Sequence, residues 1–244
     1  MANLRFYTNN HLALGDSIQL SESAAAHATR SLRLNVGDKA ILFNSDGFDY
    51  DCVLTSIKKN TVIAKITAAN KISNESPLHI TLLQAISSGD RMDYTIQKAV
   101  ELGVTHIQPI TSQRSVVRLS AERAEKRIEH WQNVAISACE QSGRAVVPLV
   151  EIPLSLQQWL AVNPINNLTR ILLNPVGALR LAEMKSPTGE IQLLIGAEGG
   201  LTQAEIDLAT THGFQSVVLG ARILRTETAA LVTIAAIQTL WGDF

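Results

Sequence analysis

Apolar segments of strand length alternate with amphipathic segments of helix length from residue 78 to the end of the chain. The expected strands are residues 78–86, 104–110, 169–174, 190–195 and 215–219. The expected helices are residues 90–102, 120–143, 202–213 and 226–241, with Ser120 as a possible N-cap of the second. This alternation predicts a mostly parallel sheet with helices on both faces. The general rule that chains do not thread loops predicts an unknotted path.

The first 70 residues have a different pattern, with short strands expected at residues 39–44, 49–55 and 61–66 and one helix at residues 23–34. Short strands joined by turn signals indicate a small β-barrel-like module. The polar segment 70–77 ends in Pro77 and is the best candidate linker. The sequence therefore predicts two domains, residues 1–72 and residues 73–244.

The charge balance limits the function classes, because 21 Lys and Arg face 22 Asp and Glu and give a net charge of −1. This excludes a strongly basic nucleic-acid coat but allows a local basic patch. Cys52 and Cys139 are far apart and the six histidines are scattered, so neither a disulfide framework nor a metal site is expected. No segment has the layout of a signal peptide or the length of a membrane span, and we expect a cytoplasmic protein.

Two glycine-marked loops each leave an apolar strand and open a helix: residues 196–200 (GAEGG) and residues 219–227 (LGARILRTE). Glycine lets a ligand approach the main chain closely, so the two loops predict a cleft for a nucleoside-like cofactor. Neither loop matches a phosphate-binding motif, which favours a cofactor without phosphates, such as S-adenosylmethionine. The alternative is that both are ordinary strand-to-helix turns whose charged side chains form a solvated network.

The final helix, residues 226–241, is apolar nearly all round, with only Thr233 and Gln238 interrupting a run of Ala, Leu, Val and Ile. Such a helix must be buried on more than one side. Deep burial within one chain and packing against a second subunit both satisfy this requirement. A homodimer built on this helix is therefore one prediction of the sequence.

The two loops closely resemble signatures of SPOUT methyltransferases of the RsmE type, although Ala197 and Ala221 stand where that family often has proline. Similar matches occur at residues 98–104, 111–115 and 140–144, and in the N-terminal block at residues 5–7 and 32–38. The resemblance implies a PUA-like RNA-binding module followed by a SPOUT α/β domain with a trefoil knot, whose dimer interface helps to form the cofactor site. It also implies S-adenosylmethionine-dependent methylation of N3 of a uridine in 16S ribosomal RNA of the small ribosomal subunit.

The resemblance and the loops together give a set of expected site residues. Those expected to bind S-adenosylmethionine are Leu173, Asn174, Gly196, Glu198, Gly199, Gly200, Leu219, Gly220, Ile223, Leu224, Arg225 and Thr226. The candidates for catalysis are Arg225 and Arg144, which would stabilise a developing uracil anion, and Glu227, which would orient an arginine or accept the N3 proton. The residues expected to contact RNA are Arg5, Arg30, Arg33 and Arg114. No metal is expected, because a sulfonium itself activates its methyl group.

Other function classes remain open at this point. A non-catalytic RNA-binding protein would use the loops only structurally and would not bind S-adenosylmethionine. A SPOUT methyltransferase could also act on another RNA position. A nucleotide enzyme of the Rossmann type would need the glycine fingerprint that this chain lacks.

Overall fold

The computed structural model describes residues 4–59, 61–115, 121–165, 168–177 and 179–244. The predicted N-cap Ser120 lies outside these residues. The chain forms two compact units, one of Met1–Glu75 with Cys139–Val147 and the other of Ser76–Ala138 with Pro148–Phe244. Residues 139–147 therefore fold with the N-terminal unit, although the sequence analysis assigned them to the second domain.

The N-terminal unit is a five-stranded mixed sheet with one short helix. Its strands are β1 (Arg5–Tyr7), β2 (Ser17–Gln19), β3 (Lys39–Phe43), β4 (Phe48–Lys58) and β5 (Thr61–Lys71). They lie in the order β1-β3-β4-β5-β2, and only the β1–β3 pair is parallel. Helix α1 (Glu22–Ala26) continues into a π-helical turn, His27–Ser31, where the sequence predicted one longer helix.

The C-terminal unit is an eight-stranded, wholly parallel sheet with helices. Its strands are β6 (Ile80–Ala85), β7 (His106–Thr111), β8 (Leu149–Val150), β9 (Leu154–Ser155), β10 (Thr169–Leu173), β11 (Leu179–Arg180), β12 (Ile191–Ile195) and β13 (Gln215–Val218). Its helices are α2 (Asp90–Glu101), α3 (Ala121–Ser142, of which the last four residues belong to the other unit), α4 (Leu156–Val162), α5 (Gln203–Thr211) and α6 (Thr226–Trp241), with a 3-10 turn at Leu181–Glu183. The strand order is β11-β13-β10-β12-β6-β7-β8, and β9 also pairs with β7.

The centre of this sheet is buried on both faces. All five residues of β12 are buried, and the register places Leu193 between Ile171 of β10 and Leu82 of β6. Apolar residues predominate in these strands, as expected for strands covered on both faces, and the polar Gln192 and Arg170 are buried among them. Because the strands are parallel, β10, β12 and β13 end at the same edge of the sheet.

Arg170 of β10 anchors two helix ends to the sheet, a feature that the sequence analysis missed. Its buried guanidinium lies 5.6 Å from the ring centres of both Trp159 and Phe214, and burial lowers its pKa. It donates to the carbonyl oxygens of Asn163 and His212, the C-cap residues of α4 and α5, at 3.0 and 2.8 Å. These bonds satisfy carbonyl groups that a helix end leaves without a partner.

Helix α6 has the predicted bounds and is apolar on both sides. Its inner face is fully buried at Ala230, Ile234 and Ile237. Its outer face exposes Val232 (45%) and Leu240 (44%). Among the residues that the structure describes, no helix is long and apolar enough to cross a membrane.

Candidate active site

A cleft of about 580 Å³ lies at the carboxyl ends of β10, β12 and β13. The loops that follow these three strands form its walls, and all belong to the C-terminal unit. Its volume is in the range of small-molecule sites in proteins. The predicted cofactor residues are therefore expected to lie at this cleft.

All twelve residues expected to bind the cofactor border this one cleft. The catalytic candidates Arg225 and Glu227 border it as well, and so does Arg114, which was expected to contact RNA. Arg91, at the start of α2, also borders the cleft and was not among the expected site residues. No motif marks Arg91, because it reaches the cleft from an element more than 100 residues away in sequence.

The first loop, residues 196–200, is tightly folded on itself. Gly200 has a φ of +68° and its N–H donates to the Ala197 carbonyl at 2.8 Å, closing a turn. A Cβ at Gly196 would lie 3.0–3.1 Å from backbone atoms of Gly200 and Leu201. This close backbone approach explains why glycine occupies position 196.

Glu198 projects from this loop toward the start of α2. Its Oε1 accepts hydrogen bonds from the N–H and the hydroxyl of Ser88, both at 2.8 Å, and from Nη1 of Arg91 at 2.9 Å. Partial burial alone would raise the pKa of Glu198, but the bonds from Ser88 and Arg91 outweigh burial and the pKa is lowered. Glu198 is thus held as a carboxylate.

Arg114 supports the far end of the same loop. Its Nη1 donates to the carbonyl oxygens of Gly199 at 3.0 Å and Leu201 at 3.3 Å. A Cβ at Gly199 would lie 3.1 Å from the Cβ of Arg114. Arg114 therefore packs against the loop, while the side chain remains exposed at the cleft.

Helix α6 begins at the cleft, and its first residue closes the floor. The Thr226 hydroxyl donates to the Gly196 carbonyl at 2.6 Å and accepts from Nε2 of the buried Gln84 at 2.9 Å. The N-cap residue Arg225 makes no side-chain capping bond, so the first N–H groups of α6 are left for a polar ligand.

The second loop carries the charged side chains of the cleft. Arg222 and Arg225 are exposed, and neither forms an ion pair with a described residue. Glu227 is half-buried, and its Oε2 is buried without a hydrogen-bond partner in the part of the chain that the structure describes. The salt-bridge network offered as the alternative for this loop is therefore not formed within the described chain.

Arg144, the other catalytic candidate, folds in the N-terminal unit. Its side chain is 5% exposed, and Nε and Nη2 both donate to Oε2 of Glu75, at 2.9 and 2.7 Å. Glu140 of the same motif accepts from the Tyr7 N–H at 3.0 Å. The 140–144 element therefore holds the linker and β1 within this unit, which is a structural role.

Arg5 is buried and ion-paired with Asp49. It also lies over the ring of Phe43 and donates to the Arg144 carbonyl at 3.0 Å. A buried, paired guanidinium is not available to a phosphate, so the expected RNA contact at Arg5 needs correction. Arg30 and Arg33 are exposed, and Arg33 has a φ of +54°.

The described residues contain no group of His, Cys, Asp and Glu that could hold a metal ion. Of the two acidic residues at the cleft, Glu198 accepts hydrogen bonds from amide, hydroxyl and guanidinium donors, whereas Oε2 of Glu227 has no partner among the described residues.

Comparison with known proteins gives matches over nearly the whole chain. A family model described as an RNA methyltransferase domain matches residues 74–238, and one described as an RNA methyltransferase PUA domain matches residues 20–67. The chain is 36% identical over 242 residues to the ribosomal RNA small subunit methyltransferase E of Buchnera aphidicola, covering 98% of this chain and 94% of that protein. The protein of the same name from Bacillus subtilis is 31% identical, with 97% and 96% covered.

Two solved structures are similar along their full length. The ribosomal RNA small subunit methyltransferase E of Neisseria gonorrhoeae, bound to S-adenosyl methionine, is 44% identical with a TM-score of 0.92 and covers 99% of each chain. A Legionella pneumophila protein in complex with the same cofactor is 34% identical with a TM-score of 0.96, covering all of both chains. The predicted fold class, a PUA-like module followed by a SPOUT α/β domain with a parallel sheet, is confirmed. The trefoil knot stays a prediction of the resemblance.

Proposed function

The chain belongs to the ribosomal RNA small subunit methyltransferase E family, and from this premise we propose that it methylates ribosomal RNA with S-adenosylmethionine as methyl donor. Two similar structures carry that cofactor, as their names state. The observation that supports the proposal most is the convergence of three strand-end loops, with all twelve expected cofactor residues, on one cleft.

The cleft suits S-adenosylmethionine better than a nucleotide. Besides the charged side chains already described, its walls consist of main-chain groups and apolar side chains, including Ile195, Leu201 and Leu219. The Glu198 carboxylate at its edge would repel a phosphate but not a sulfonium or an ammonium group. Bound there, the cofactor supplies an electrophilic methyl group.

In the reaction, the protein must align the methyl group with uracil N3 and accept the N3 proton. Uracil N3 must lose its proton before or during attack, and the negative charge then spreads to the uracil carbonyls. Arg225, exposed at the start of α6, is placed in this proposal beside those carbonyls, where a cation stabilises the anion. The rigid first loop aligns the methyl group with its nucleophile.

Glu227 is proposed as the acceptor of the N3 proton. The sequence left two roles for it, orienting an arginine or accepting the proton. Its Oε2 is buried and makes no hydrogen bond within the described chain, and Glu227 pairs with neither Arg222 nor Arg225. A carboxylate oxygen with no donor beside it is free to take a proton, which favours the second role.

The substrate is proposed to be 16S ribosomal RNA of the small subunit, methylated at N3 of a uridine, as the resemblance implies. We assign RNA backbone contacts to Arg30 and Arg33 of the N-terminal unit, which are exposed. Arg114 is a further contact at the cleft. An enzyme with this substrate is expected in the cytoplasm, where ribosomes are assembled.

The active form is proposed to be a homodimer. Ile223 of the second loop is 85% exposed, and Val232 and Leu240 extend an apolar surface along the outer face of α6. A second pocket, lined mostly by apolar residues of the 3-10 turn, the second loop and α6, includes Leu240 of this surface. Apolar surface that continues from a helix face to a binding loop fits a subunit interface that completes the site.

Calorimetry with S-adenosylmethionine, S-adenosylhomocysteine and NAD in parallel tests the cofactor. Binding of the first two and not of NAD is expected. Small subunits from cells lacking the enzyme are then incubated with the protein and S-adenosylmethionine. Mass spectrometry of the methylated base shows which position has been modified. No affinity for S-adenosylmethionine would favour the non-catalytic RNA-binding alternative, and a methyl group elsewhere than uridine N3 would favour the other methyltransferase alternative.

A further inference from the structure

Ser88 and Arg91 hold a carboxylate of the glycine loop from more than 100 residues away. Three donors converge on one oxygen, Oε1 of Glu198, at 2.8, 2.8 and 2.9 Å. The Arg91 side chain is 39% exposed and the Glu198 side chain 23% exposed, so the pair lies at the rim of the cleft. An ion pair this exposed adds little to global stability.

The loop needs external support because three of its five residues are glycines. Glycine loses more conformational freedom on folding than any other residue, so an unsupported loop of this composition would populate many conformations. Thr226 holds the carbonyl of Gly196 at the start of the loop, and Arg114 holds the carbonyls of Gly199 and Leu201 at its end. Between these two points, Glu198 is the side chain by which the middle of the loop is fixed.

We propose that Ser88, Arg91 and Glu198 form a latch that keeps residues 196–200 in the conformation that receives the cofactor. Arg91 is then a positioning residue for methyl transfer, and it acts through Glu198. Glu198 itself is assigned to shaping the loop, because the oxygen that faces α2 is already engaged by three donors. This inference rests on the proposed function, which gives the loop to S-adenosylmethionine.

The first experiment measures the affinity for S-adenosylmethionine by calorimetry in the wild type, Arg91→Gln and Arg91→Lys. Arg91→Gln should weaken binding about five- to tenfold, because part of the binding free energy must then order the loop. Arg91→Lys keeps the charge and should restore most of the affinity. In steady-state methylation, Arg91→Gln should raise KM for the cofactor and leave kcat nearly unchanged.

A matched control lies on the same helix. Lys98 and Glu101 form an ion pair of similar exposure, 34% and 26%, which does not border the cleft. Lys98→Ala should leave cofactor affinity unchanged. Hydrogen exchange in the peptide covering residues 196–201 should accelerate in Arg91→Gln and not in Lys98→Ala, with melting temperatures of both variants close to the wild type.

A double-mutant cycle tests whether Arg91 acts through Glu198. Glu198→Gln should weaken binding at least as much as Arg91→Gln, and adding Arg91→Gln to it should cause no further loss. Additive losses would overturn the proposal, since Arg91 would then contact the ligand independently. Wild-type affinity in Arg91→Gln would also overturn the latch while leaving the proposed function intact. Absence of binding in the wild type would instead reject the proposed function.

Discussion

The two loops that flank the cleft are held in different ways. The first, residues 196–200, is attached to α6 through Thr226 and to the segment after β7 through Arg114. It is also attached to the start of α2, where Ser88 and Arg91 both donate to Glu198. The second, residues 219–227, is exposed at positions 220–223 and 225, and no side chain of the described chain donates a hydrogen bond to the backbone of residues 219–224. A Cβ at Gly196 would meet the backbone of its own loop, whereas a Cβ at Gly220 would meet nothing within 4 Å.

This difference indicates a division of work. A loop that is rigid before binding spends little free energy on ordering when the ligand arrives, so the first loop suits cofactor binding. The second loop carries Arg222, Arg225 and Glu227 and stays open to a partner subunit and to RNA. We propose that those partners complete its conformation, so that it receives the reacting base in addition to the cofactor contacts assigned to it.

The largest expected effect is a loss of methylation rate without a loss of affinity for S-adenosylmethionine. Glu227→Gln removes the proposed proton acceptor and should lower kcat by about a hundredfold or more. Arg225→Ala should lower kcat comparably, because it removes the cation beside the uracil carbonyls. Single-turnover methylation of small subunits measures the rate, and calorimetry checks that S-adenosylmethionine still binds. Normal turnover in Glu227→Gln would remove its catalytic assignment.

The next effect tests the rigidity of the first loop. Gly196→Ala places a methyl group 3.0–3.1 Å from backbone atoms of Gly200 and Leu201. Overpacking of this kind costs about 1–3 kcal/mol. Affinity for S-adenosylmethionine should then fall by roughly ten- to a hundredfold.

Gly220→Ala is the matched variant in the second loop. Gly220 has a φ of +144°, where an L residue is strained, but the loop has room to relax. We expect a loss of affinity clearly smaller than in Gly196→Ala. Equal losses in calorimetry would contradict the difference drawn between the loops.

Association of subunits is expected to support the open loop. Val232→Glu combined with Leu240→Glu places charge on the outer face of α6 and should give a monomer in sedimentation at micromolar concentration. Cofactor affinity should fall by roughly tenfold, about 1.4 kcal/mol, because the second loop loses its support. Ile234 is unsuitable for this test, since it is fully buried and a charge there would unfold the subunit. A wild-type monomer would refute the dimer.

Much of the fold could be predicted from local pattern. The bounds of α6 and the capping box of α5, in which Thr202 and Glu205 exchange hydrogen bonds, follow the sequence signals. The short strands β1, β2, β8, β9 and β11 were missed, because two or three residues carry no measurable period. The prediction of a trefoil knot came from the resemblance alone, because a knot depends on the path of the whole chain and not on local sequence pattern.

The residues of the cleft could be predicted because glycine in the sequence indicates backbone conformation directly. The roles of the arginines could not be predicted in this way. No local sequence signal distinguishes Arg144 and Arg5, which are ion-paired, from Arg225, which has no such partner among the described residues. This is because the acidic partners Glu75 and Asp49 lie 69 and 44 residues away along the chain. Arg91 was missed for the same reason. An arginine's role depends on what faces it in the folded chain, and spacing along the sequence does not contain that information.

A smaller effect is expected from the N-terminal unit. Arg30→Ala with Arg33→Ala removes two exposed cations and should raise the apparent KM for small subunits severalfold. The dependence of RNA affinity on salt should fall by about two ions, one for each lost phosphate contact. Affinity for S-adenosylmethionine and melting temperature should not change, whereas Arg5→Ala should lower the melting temperature by breaking a buried ion pair. Unchanged KM in the double variant would show that RNA is bound elsewhere.

The smallest effect is a pH dependence carried by Glu198. Its pKa in the folded protein is lowered from the ordinary 4.5, so the folded state favours the carboxylate. Its contribution to stability is complete above pH 4.5 and is lost as the pH falls through the lowered value. Because the pair with Arg91 is partly exposed, this contribution is expected to be about 1 kcal/mol or less. The difference in unfolding free energy between wild type and Glu198→Gln should therefore be constant from pH 7 to about 5 and shrink in more acidic solution. A difference that grew on acidification would mean that the protonated form is the one the loop stabilises, and the first loop would then not be held by a charged latch.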